Sequence, residues 1–281
     1  VRSVRVQPDR GVVMNRFTSA ILLAVLAAVS LVRAQQPPAF QPVTEEMLLK
    51  PSANDWLMFS RTYDSQRFSP LNQITTKNVG QLREVFKKGL PAGAHEGIPI
   101  VYRGVMYMLM PGNALQALDA ATGKVIWEHK RPSGASRSKT IAIYDDMIFN
   151  STPDGFIEAL DARTGELRWE TKSSGRLTAG VIVVEGKVLT GRACAPKRED
   201  CYISAHDAKT GKEVWRFYTA AASNEPGGET WAGAPDETRA ASSWALPGGY
   251  DPVRRLVYWG VANPTPNTRA KGSSSCLLSP R

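Results

Sequence analysis

The stretch that decides the fold is Ala117-Leu118-Asp119-Ala120-Ala121-Thr122-Gly123-Lys124-Val125-Ile126-Trp127. It recurs at residues 159–169 and 205–215, in the common pattern A-x-D-A-x-T-G-x-x-x-W. The aspartates of successive copies stand 42 and then 46 residues apart, and the tryptophans keep the same two intervals. Self-similarity at this period indicates a repeat architecture in which each copy belongs to one supersecondary unit.

Each copy of the motif predicts a β-hairpin. A short apolar run ends at Asp, whose carboxylate accepts backbone N–H groups in a tight turn, and Thr-Gly supplies a positive φ before the next strand. The Trp then lies on the outgoing strand, where an aromatic ring suits a half-buried pleated surface and reaches the neighbouring unit. Each unit is therefore expected to depend on the next one to bury its Trp.

Further strands are predicted upstream of each copy. They cover residues 104–109 before the first copy, 140–144 and 147–150 before the second, and 181–184 and 187–190 before the third. Each unit then has about four short strands, which is the content of one β-propeller blade. The predicted fold is all-β, a propeller of four-stranded blades with about three to four blades present.

Composition and charge limit the classes of function that the chain can have. The 281 residues are 42% hydrophobic, as in a globular protein with one large or two ordinary domains. Residues 1–34 carry +4 of the formal net charge of +9, and the remaining +5 forms no run of like charges. The sequence therefore predicts no nucleic-acid partner.

Residues 1–34 are predicted to be a signal peptide preceded by an over-extended start. Met14-Asn15-Arg16 opens a short positive region, residues 20–32 are apolar apart from one serine, and Val32-Arg33-Ala34 resembles a cleavage site. A comfortable membrane span needs about 20 apolar residues. Export to the periplasm as a soluble protein, with no membrane span, is therefore favoured over a membrane anchor.

The cysteines are Cys194, Cys201 and Cys276. In an oxidising compartment the first two are predicted to close a small loop as a disulfide, in preference to forming a metal or redox site. The sequence has no C-x-x-C motif and no C-x-x-C-H haem attachment site.

Residues 35–54 are predicted to be an extended entry segment, with a helical turn or two at 44–49 capped by Thr44. The distinctive stretch that follows is Asp55-Trp56-Leu57-Met58-Phe59-Ser60-Arg61-Thr62-Tyr63-Asp64. With the repeats and the export signal, it resembles the quinoprotein alcohol dehydrogenases, exported eight-bladed propellers that bind pyrroloquinoline quinone and a calcium or lanthanide ion. The resemblance covers 55–269, which is expected to be a partial propeller. Residues 270–281 show neither the expected strand nor a repeat and look truncated or out of frame.

The resemblance implies four residues that contact the quinone. Glu96, in His95-Glu96-Gly97-Ile98-Pro99, matches a Glu that touches the cofactor, although a solvated loop acid is the alternative. Lys139 stands where the family has an Arg that points at the quinone oxygens. Lys keeps a hydrogen-bond donor but lacks the forked guanidinium geometry. Arg137 is the other candidate for this role. Thr178 matches a Thr that bonds a cofactor carboxylate. Trp244 is the candidate floor on which the planar cofactor stacks, a core Trp being the alternative.

The resemblance also implies a metal site. Asn263 lies in a G-x-x-N-P-x-P motif whose Asn carbonyl is a metal ligand. The family's metal-binding Glu corresponds to Pro196, which offers no side-chain oxygen, so Glu199 or Asp200 is expected to substitute in the loop closed by the cysteines. A solvated charged loop is the alternative. The adjacent Cys-Cys pair of many members is absent.

The function implied is oxidation of a small alcohol by hydride transfer to metal-bound quinone, with cytochrome c or a quinone as the electron acceptor of the full-length protein. The family places the base Asp after the Asn-Pro motif, beyond these 281 residues, so the chain is expected to be the amino-terminal fragment of such an enzyme, inactive alone. A non-catalytic periplasmic propeller scaffold with the same repeats is the alternative. The G-H and W-D signatures of a WD-repeat propeller are missing.

Overall fold

The computed structural model describes residues 39–132, 139–177, 179–194, 197–243 and 246–266, and the backbone of 276–278. Contacts divide the chain into residues 1–40 and 41–281, and the fold below is that of the second unit. The predicted signal peptide lies outside the described residues.

The described strands form four antiparallel sheets, each made of strands consecutive in sequence. The first sheet contains β1 (Ile100–Tyr102), β2 (Val105–Met110), β3 (Ala114–Asp119) and β4 (Val125–Lys130). The second contains β5 (Ala142–Tyr144), β6 (Met147–Ser151), β7 (Phe156–Asp161) and β8 (Leu167–Lys172). The third contains β9 (Val181–Val184), β10 (Lys187–Thr190), β11 (Tyr202–Asp207) and β12 (Glu213–Tyr218). The fourth contains β13 (Gly249–Asp251), β14 (Leu256–Trp259) and β15 (Cys276–Leu278).

These sheets confirm the prediction of four-stranded blades. The third strands, β3, β7 and β11, are buried along almost their whole length, which places the core between successive sheets. The strand β15 was not predicted, since residues 270–281 showed no strand pattern, yet it pairs with β14 in antiparallel register.

The repeated motif forms the predicted turn between the third and fourth strand of each blade. In the first copy, Asp119 Oδ1 accepts the Thr122 backbone N–H at 2.8 Å and the Thr122 hydroxyl at 2.7 Å. Gly123 has φ of 70° and donates its N–H to the Asp119 carbonyl at 2.8 Å. Glycine is favoured at this position because a side chain is strained at positive φ.

The motif tryptophans pack each blade on the next, as predicted. A Cβ placed on Gly165 would lie 2.5 Å from the Trp127 ring, and one on Gly211 would lie 2.5 Å from the Trp169 ring. The ring of one blade therefore covers the glycine turn of the following blade. Phe86, which precedes the first blade, covers Gly123 in the same way, 2.6 Å from an added Cβ.

The amino-terminal segment bonds to the first strand, or to the turn after it, in each of the four sheets. Its helix α1 (Glu45–Leu49) is capped by the Thr44 hydroxyl, which accepts the Met47 N–H at 3.3 Å, as predicted. Backbone bridges join Val43 to Asp145 and Trp56 to Val101. Further along, Tyr63 donates its hydroxyl to the Val183 carbonyl at 2.8 Å and accepts the Tyr250 N–H at its own carbonyl at 3.1 Å. This segment thus connects the four blades along the side of their first strands.

Within the part of the chain that the structure describes, no helix has the length and apolar character needed to cross a membrane.

Candidate cofactor site

The four sequence-predicted site residues that the structure describes belong to one face of the blades. In every sheet the first strand is antiparallel to the second, so the start of β1, β5, β9 or β13 and the end of its partner meet at the same edge. Glu96 and Lys139 precede first strands, whereas Glu199 and Asn263 follow second strands. Backbone bonds between successive blades at these edges keep the four edges on a common face.

Glu96 and Lys139 meet across the first and second blades. The Lys139 Nζ lies 2.5 Å from the Glu96 Oε2, with the side chains 24% and 42% exposed. The Ile98 N–H donates to the Lys139 carbonyl at 2.8 Å, which fixes the two loops side by side. Gly97 is required between them because a Cβ there would lie 2.9 Å from the Leu109 Cβ. The structure therefore brings a cation and a carboxylate together at a partly exposed edge.

Thr140 anchors Lys139 to the third blade. Its buried hydroxyl donates to the Val181 carbonyl at 3.2 Å and lies 3.1 Å from the Val181 nitrogen. The chain approaches so closely here that a Cβ on Gly180 would lie 2.2 Å from the Thr140 Oγ1. Sequence reasoning missed this anchor, for which the glycine beside a strand start was the available signal.

Asn263 is exposed, and its chain neighbours are fixed on both sides. The Ala262 N–H donates to the Ser242 carbonyl at 2.7 Å. Two residues further on, Thr265 and Ala240 exchange backbone hydrogen bonds of 2.7 and 2.9 Å. The backbone around Asn263 is thus held, although the residue itself is exposed.

Glu199 lies in the loop between β10 and β11. The predicted disulfide between Cys194 and Cys201 is present, with a Cα–Cα distance of 5.1 Å. Glu199 itself is exposed in a short 3-10 turn, Arg198–Asp200. Across the described ranges, no three His, Cys, Asp or Glu side chains converge as a metal cluster. Among the described residues, these acidic side chains therefore do not form a metal centre by themselves.

Thr178, Trp244, Arg137 and Pro196 lie outside the described residues.

A buried cation at this face was not anticipated. Arg192 is fully buried, and its guanidinium stacks on Tyr202 with Cζ 3.6 Å from the ring centroid. It donates to the Ser204 hydroxyl at 3.0 Å and to the Tyr202 carbonyl at 3.2 Å. Burial lowers the pKa of Arg192 to about 10, so the side chain stays charged at neutral pH. Its backbone pairs with Ser243, whose N–H donates to the Arg192 carbonyl at 2.8 Å.

The repeated four-stranded sheets define a blade-repeat protein of the β-propeller class. The family model described as glucose, ethanol and alcohol dehydrogenase, beta-propeller domain, with the short name PQQ, matches residues 56–145 and 170–273. The chain belongs to this family of dehydrogenases that depend on pyrroloquinoline quinone, abbreviated PQQ below.

Several characterised relatives are similar to the chain over part of their length. The quinohemoprotein alcohol dehydrogenase ADH-IIG of Pseudomonas putida is 33% identical over 257 residues, which cover 80% of this chain and 36% of the relative. The dehydrogenase subunit of a quinone alcohol dehydrogenase from Gluconobacter oxydans strain 621H is 34% identical over 287 residues, covering 88% and 37%. The chain thus spans a little over a third of the length of these two relatives.

Solved structures give the same picture. The structure of ADHIIG from Pseudomonas putida HK5 superposes with a TM-score of 0.72 at 32% identity, over 80% of this chain and 37% of that one. A europium-containing methanol dehydrogenase superposes with a TM-score of 0.65 at 29% identity, over 78% and 45%.

Proposed function

We propose that this chain supplies the first part of the PQQ site of an exported alcohol dehydrogenase. The observation that carries the proposal is the pairing of Lys139 with Glu96 at the common edge of the blades, 2.5 Å apart. PQQ is a flat, polycarboxylate quinone, so its site needs a cation that can donate to oxygen and a loop held in register. The described residues of this edge fit those needs.

Each proposed contact has a distinct role. Lys139 would donate an N–H to a quinone or carboxylate oxygen of PQQ, and Glu96 would orient that ammonium through their ion pair. Thr178 would donate to a cofactor carboxylate, and Trp244 would stack beneath the ring plane. When bound, PQQ supplies the carbonyl carbon that takes hydride from the alcohol.

A calcium or lanthanide ion is proposed next to the quinone. Asn263 would offer its side-chain carbonyl, and Glu199 is the proposed acidic ligand, since hard cations take oxygen donors. The exposure of both side chains supports their availability to an ion. Titration of the protein with Ca²⁺ and with a lanthanide, with and without Glu199→Gln, tests this assignment.

The partners proposed are a small alcohol and, for the full-length protein, a cytochrome c or quinone electron acceptor, in the periplasm. One relative is a methanol dehydrogenase named for its cytochrome c acceptor, which supports this class of partner. The base Asp implied by the family resemblance is assigned to none of the 281 residues. We therefore expect the 281-residue polypeptide to be inactive alone, and dye reduction with an alcohol after adding PQQ and Ca²⁺ would contradict this.

Saturable PQQ binding by the natural full-length protein tests the site. Lys139→Ala should raise the Kd for PQQ by about ten- to a hundredfold, because a charge-assisted hydrogen bond contributes about 1.5–3 kcal/mol. Lys139→Arg should preserve binding, since a planar fork suits paired oxygens. Lys124→Ala, in the repeat turn at the opposite edge, is the matched control and should leave the Kd unchanged. Absence of saturable binding in the natural protein would favour a non-catalytic scaffold.

A further inference from the structure

Both cysteines of the disulfide-closed loop are connected to the segment 241–242, Cys194 directly and Cys201 through Thr219. On one side, the Cys194 N–H donates to the Ser242 hydroxyl oxygen at 3.0 Å, and that hydroxyl lies 3.3 Å from the Cys194 carbonyl. On the other side, the Cys201 carbonyl accepts the Thr219 N–H at 2.8 Å, and the Thr219 hydroxyl lies within hydrogen-bond distance of the Ala241 carbonyl. Cys194 therefore bonds Ser242 directly, and Cys201 is connected to the adjacent residue Ala241 through Thr219.

The same segment fixes the backbone on both sides of Asn263. Ser242 accepts the Ala262 N–H, and Ala240 is paired with Thr265 in both directions. A continuous path of short contacts therefore runs from the disulfide through Ser242 to Ala262, the residue that precedes Asn263. Asn263 itself is exposed, so its position depends on the hydrogen bonds of its chain neighbours.

The size of the loop argues for a local role of the disulfide. The two cysteines are seven residues apart in sequence. In the chain-entropy model, a disulfide that closes so short a loop restricts the unfolded chain less than one that closes a long loop. By contrast, its local connections are direct, because Cys201 is fully buried, Cys194 bonds Ser242, and Cys201 reaches Ala241 through Thr219.

We propose that the Cys194–Cys201 disulfide positions Asn263 for the bound quinone and its metal, through Ser242. This inference rests on the proposed function for its consequence on ligand affinity. The disulfide and Ser242 act through the backbone at Ala262 and Thr265, so they are positioning residues and touch no ligand. Loss of the disulfide loosens the Asn263 segment and leaves the second blade intact.

The test uses the natural full-length protein and the double variant Cys194→Ser/Cys201→Ser. Hydrogen exchange followed by mass spectrometry reports on the peptides covering 240–243 and 256–266, with the second blade, 142–172, as the internal reference. Exchange at the Ala262 and Thr265 amides should accelerate about tenfold in the variant, because local opening becomes easier, while the reference should stay unchanged. The Kd for PQQ at saturating Ca²⁺ should rise severalfold.

Variants of Ser242 distinguish a specific effect on the position of Asn263 from a general loss of stability. Ser242→Ala keeps the disulfide and should reproduce faster exchange at Ala262, whereas Ser242→Thr retains a hydroxyl and should restore the natural rate. Ser69→Ala, in an exposed loop, is the matched control and should change neither exchange nor PQQ affinity. If the double variant also loses protection in the second blade, the Ser242 pair decides the question.

The outcomes distinguish this inference from the proposed function. Natural exchange rates at 262 and 265 in both the double variant and Ser242→Ala would overturn the positioning role, whatever the protein binds. Faster exchange with an unchanged Kd for PQQ would overturn the link to affinity. Faster exchange in a protein that never binds PQQ would support the disulfide-to-Asn263 connection and refute the proposed function instead.

Discussion

The indole N–H of Trp127 in the first blade donates to the carbonyl oxygen of Ala162 in the second, with Nε1 and O 3.0 Å apart. Tyr107 donates its hydroxyl to the same carbonyl at 3.1 Å. The contact repeats one blade further on, where Trp169 Nε1 lies 3.0 Å from the Ala208 carbonyl. In the second and third motif turns, one carbonyl is thus the acceptor that orders two adjacent blades.

Trp127→Phe should cost about 1 kcal/mol of unfolding free energy. The variant loses one buried hydrogen bond but keeps much of the ring, and Tyr107 still satisfies the Ala162 carbonyl. Trp127→Ala should cost about 3–5 kcal/mol, because it also leaves a cavity over Gly165. Urea denaturation of the three proteins measures the difference. Equal costs for Phe and Ala would mean that the ring contributes nothing to blade packing.

Gly165→Ala should destabilise the protein more than Gly104→Ala. Both glycines have positive φ, 74° and 80°, so both substitutions carry the backbone strain of the left-handed region, about 1 kcal/mol. Only at Gly165 does the added Cβ meet the Trp127 ring, since nothing lies within 4 Å of a Cβ on Gly104. The excess loss of unfolding free energy therefore reports the blade contact alone. Thermal or urea unfolding of the matched pair checks it.

Acidification should destabilise the third blade through His206. This side chain is buried, and burial lowers its pKa in the folded state. Its Nδ1 donates to the Gly211 carbonyl at 3.0 Å, and its Nε2 accepts from Ser204 at 2.9 Å in the neutral form. The unfolded chain, with a His pKa of about 6.5, binds the proton more readily, so stability falls as pH drops through about 6.5 and below.

His206→Gln should flatten this part of the stability profile. Unfolding free energies measured between about pH 7.5 and pH 5.5 should fall less steeply in the variant than in the natural protein. His95→Gln, in an exposed loop, is the control and should keep the natural slope. Parallel profiles for His206→Gln and the natural protein would show that His206 contributes nothing to the dependence.

Glu185 should stabilise the contact between the third and fourth blades in a pH-dependent way. Arg255 donates to Glu185 from Nε at 2.8 Å and Nη2 at 2.6 Å, and Tyr250 donates its hydroxyl at 2.7 Å. These donors, Arg255 above all, lower the pKa of Glu185 to about 2. The stabilisation is then present above the ordinary Glu pKa of about 4.3 and is lost as pH falls towards 2.

Glu185→Gln tests this contact. The variant should be less stable than the natural protein at neutral pH, and the difference should shrink steadily below about pH 4.5. Chemical denaturation at several pH values gives the comparison. A difference that stays constant from neutral to acid pH would show that the charge of Glu185 is not what joins the blades.

The blade fold was predictable from the sequence because its decisive contacts are local and repeated. Asp119, Thr122 and Gly123 form one turn within five residues, and the Trp that follows reaches the next copy of that turn. The site was less predictable. Thr140 and Arg192 act through bonds to residues about 40 to 50 positions away, and neither lies in a repeated motif. In the sequence, the only sign of these close contacts between distant segments was a glycine at a position without room for a side chain, such as Gly180.

Phe86 makes the same ring-to-glycine contact as the motif tryptophans, although it lies outside the repeated motif. Its ring covers Gly123 as Trp127 covers Gly165, but no Asp-x-x-Thr-Gly turn precedes it, so the sequence pattern did not reveal its role. Phe86→Ala should lower unfolding free energy by about 1–2 kcal/mol, because a half-buried ring is removed from the turn.

The neighbouring Val85→Ala is the matched control, since Val85 is 84% exposed and should change stability by less than about 0.5 kcal/mol. Phe86→Trp should keep most of the stability if the ring takes the same position as the motif tryptophans. Urea denaturation compares the three variants. An equal loss for Phe86→Ala and Val85→Ala would mean that the Gly123 turn is stable without an aromatic cover, and that the first blade does not need a ring in front of it.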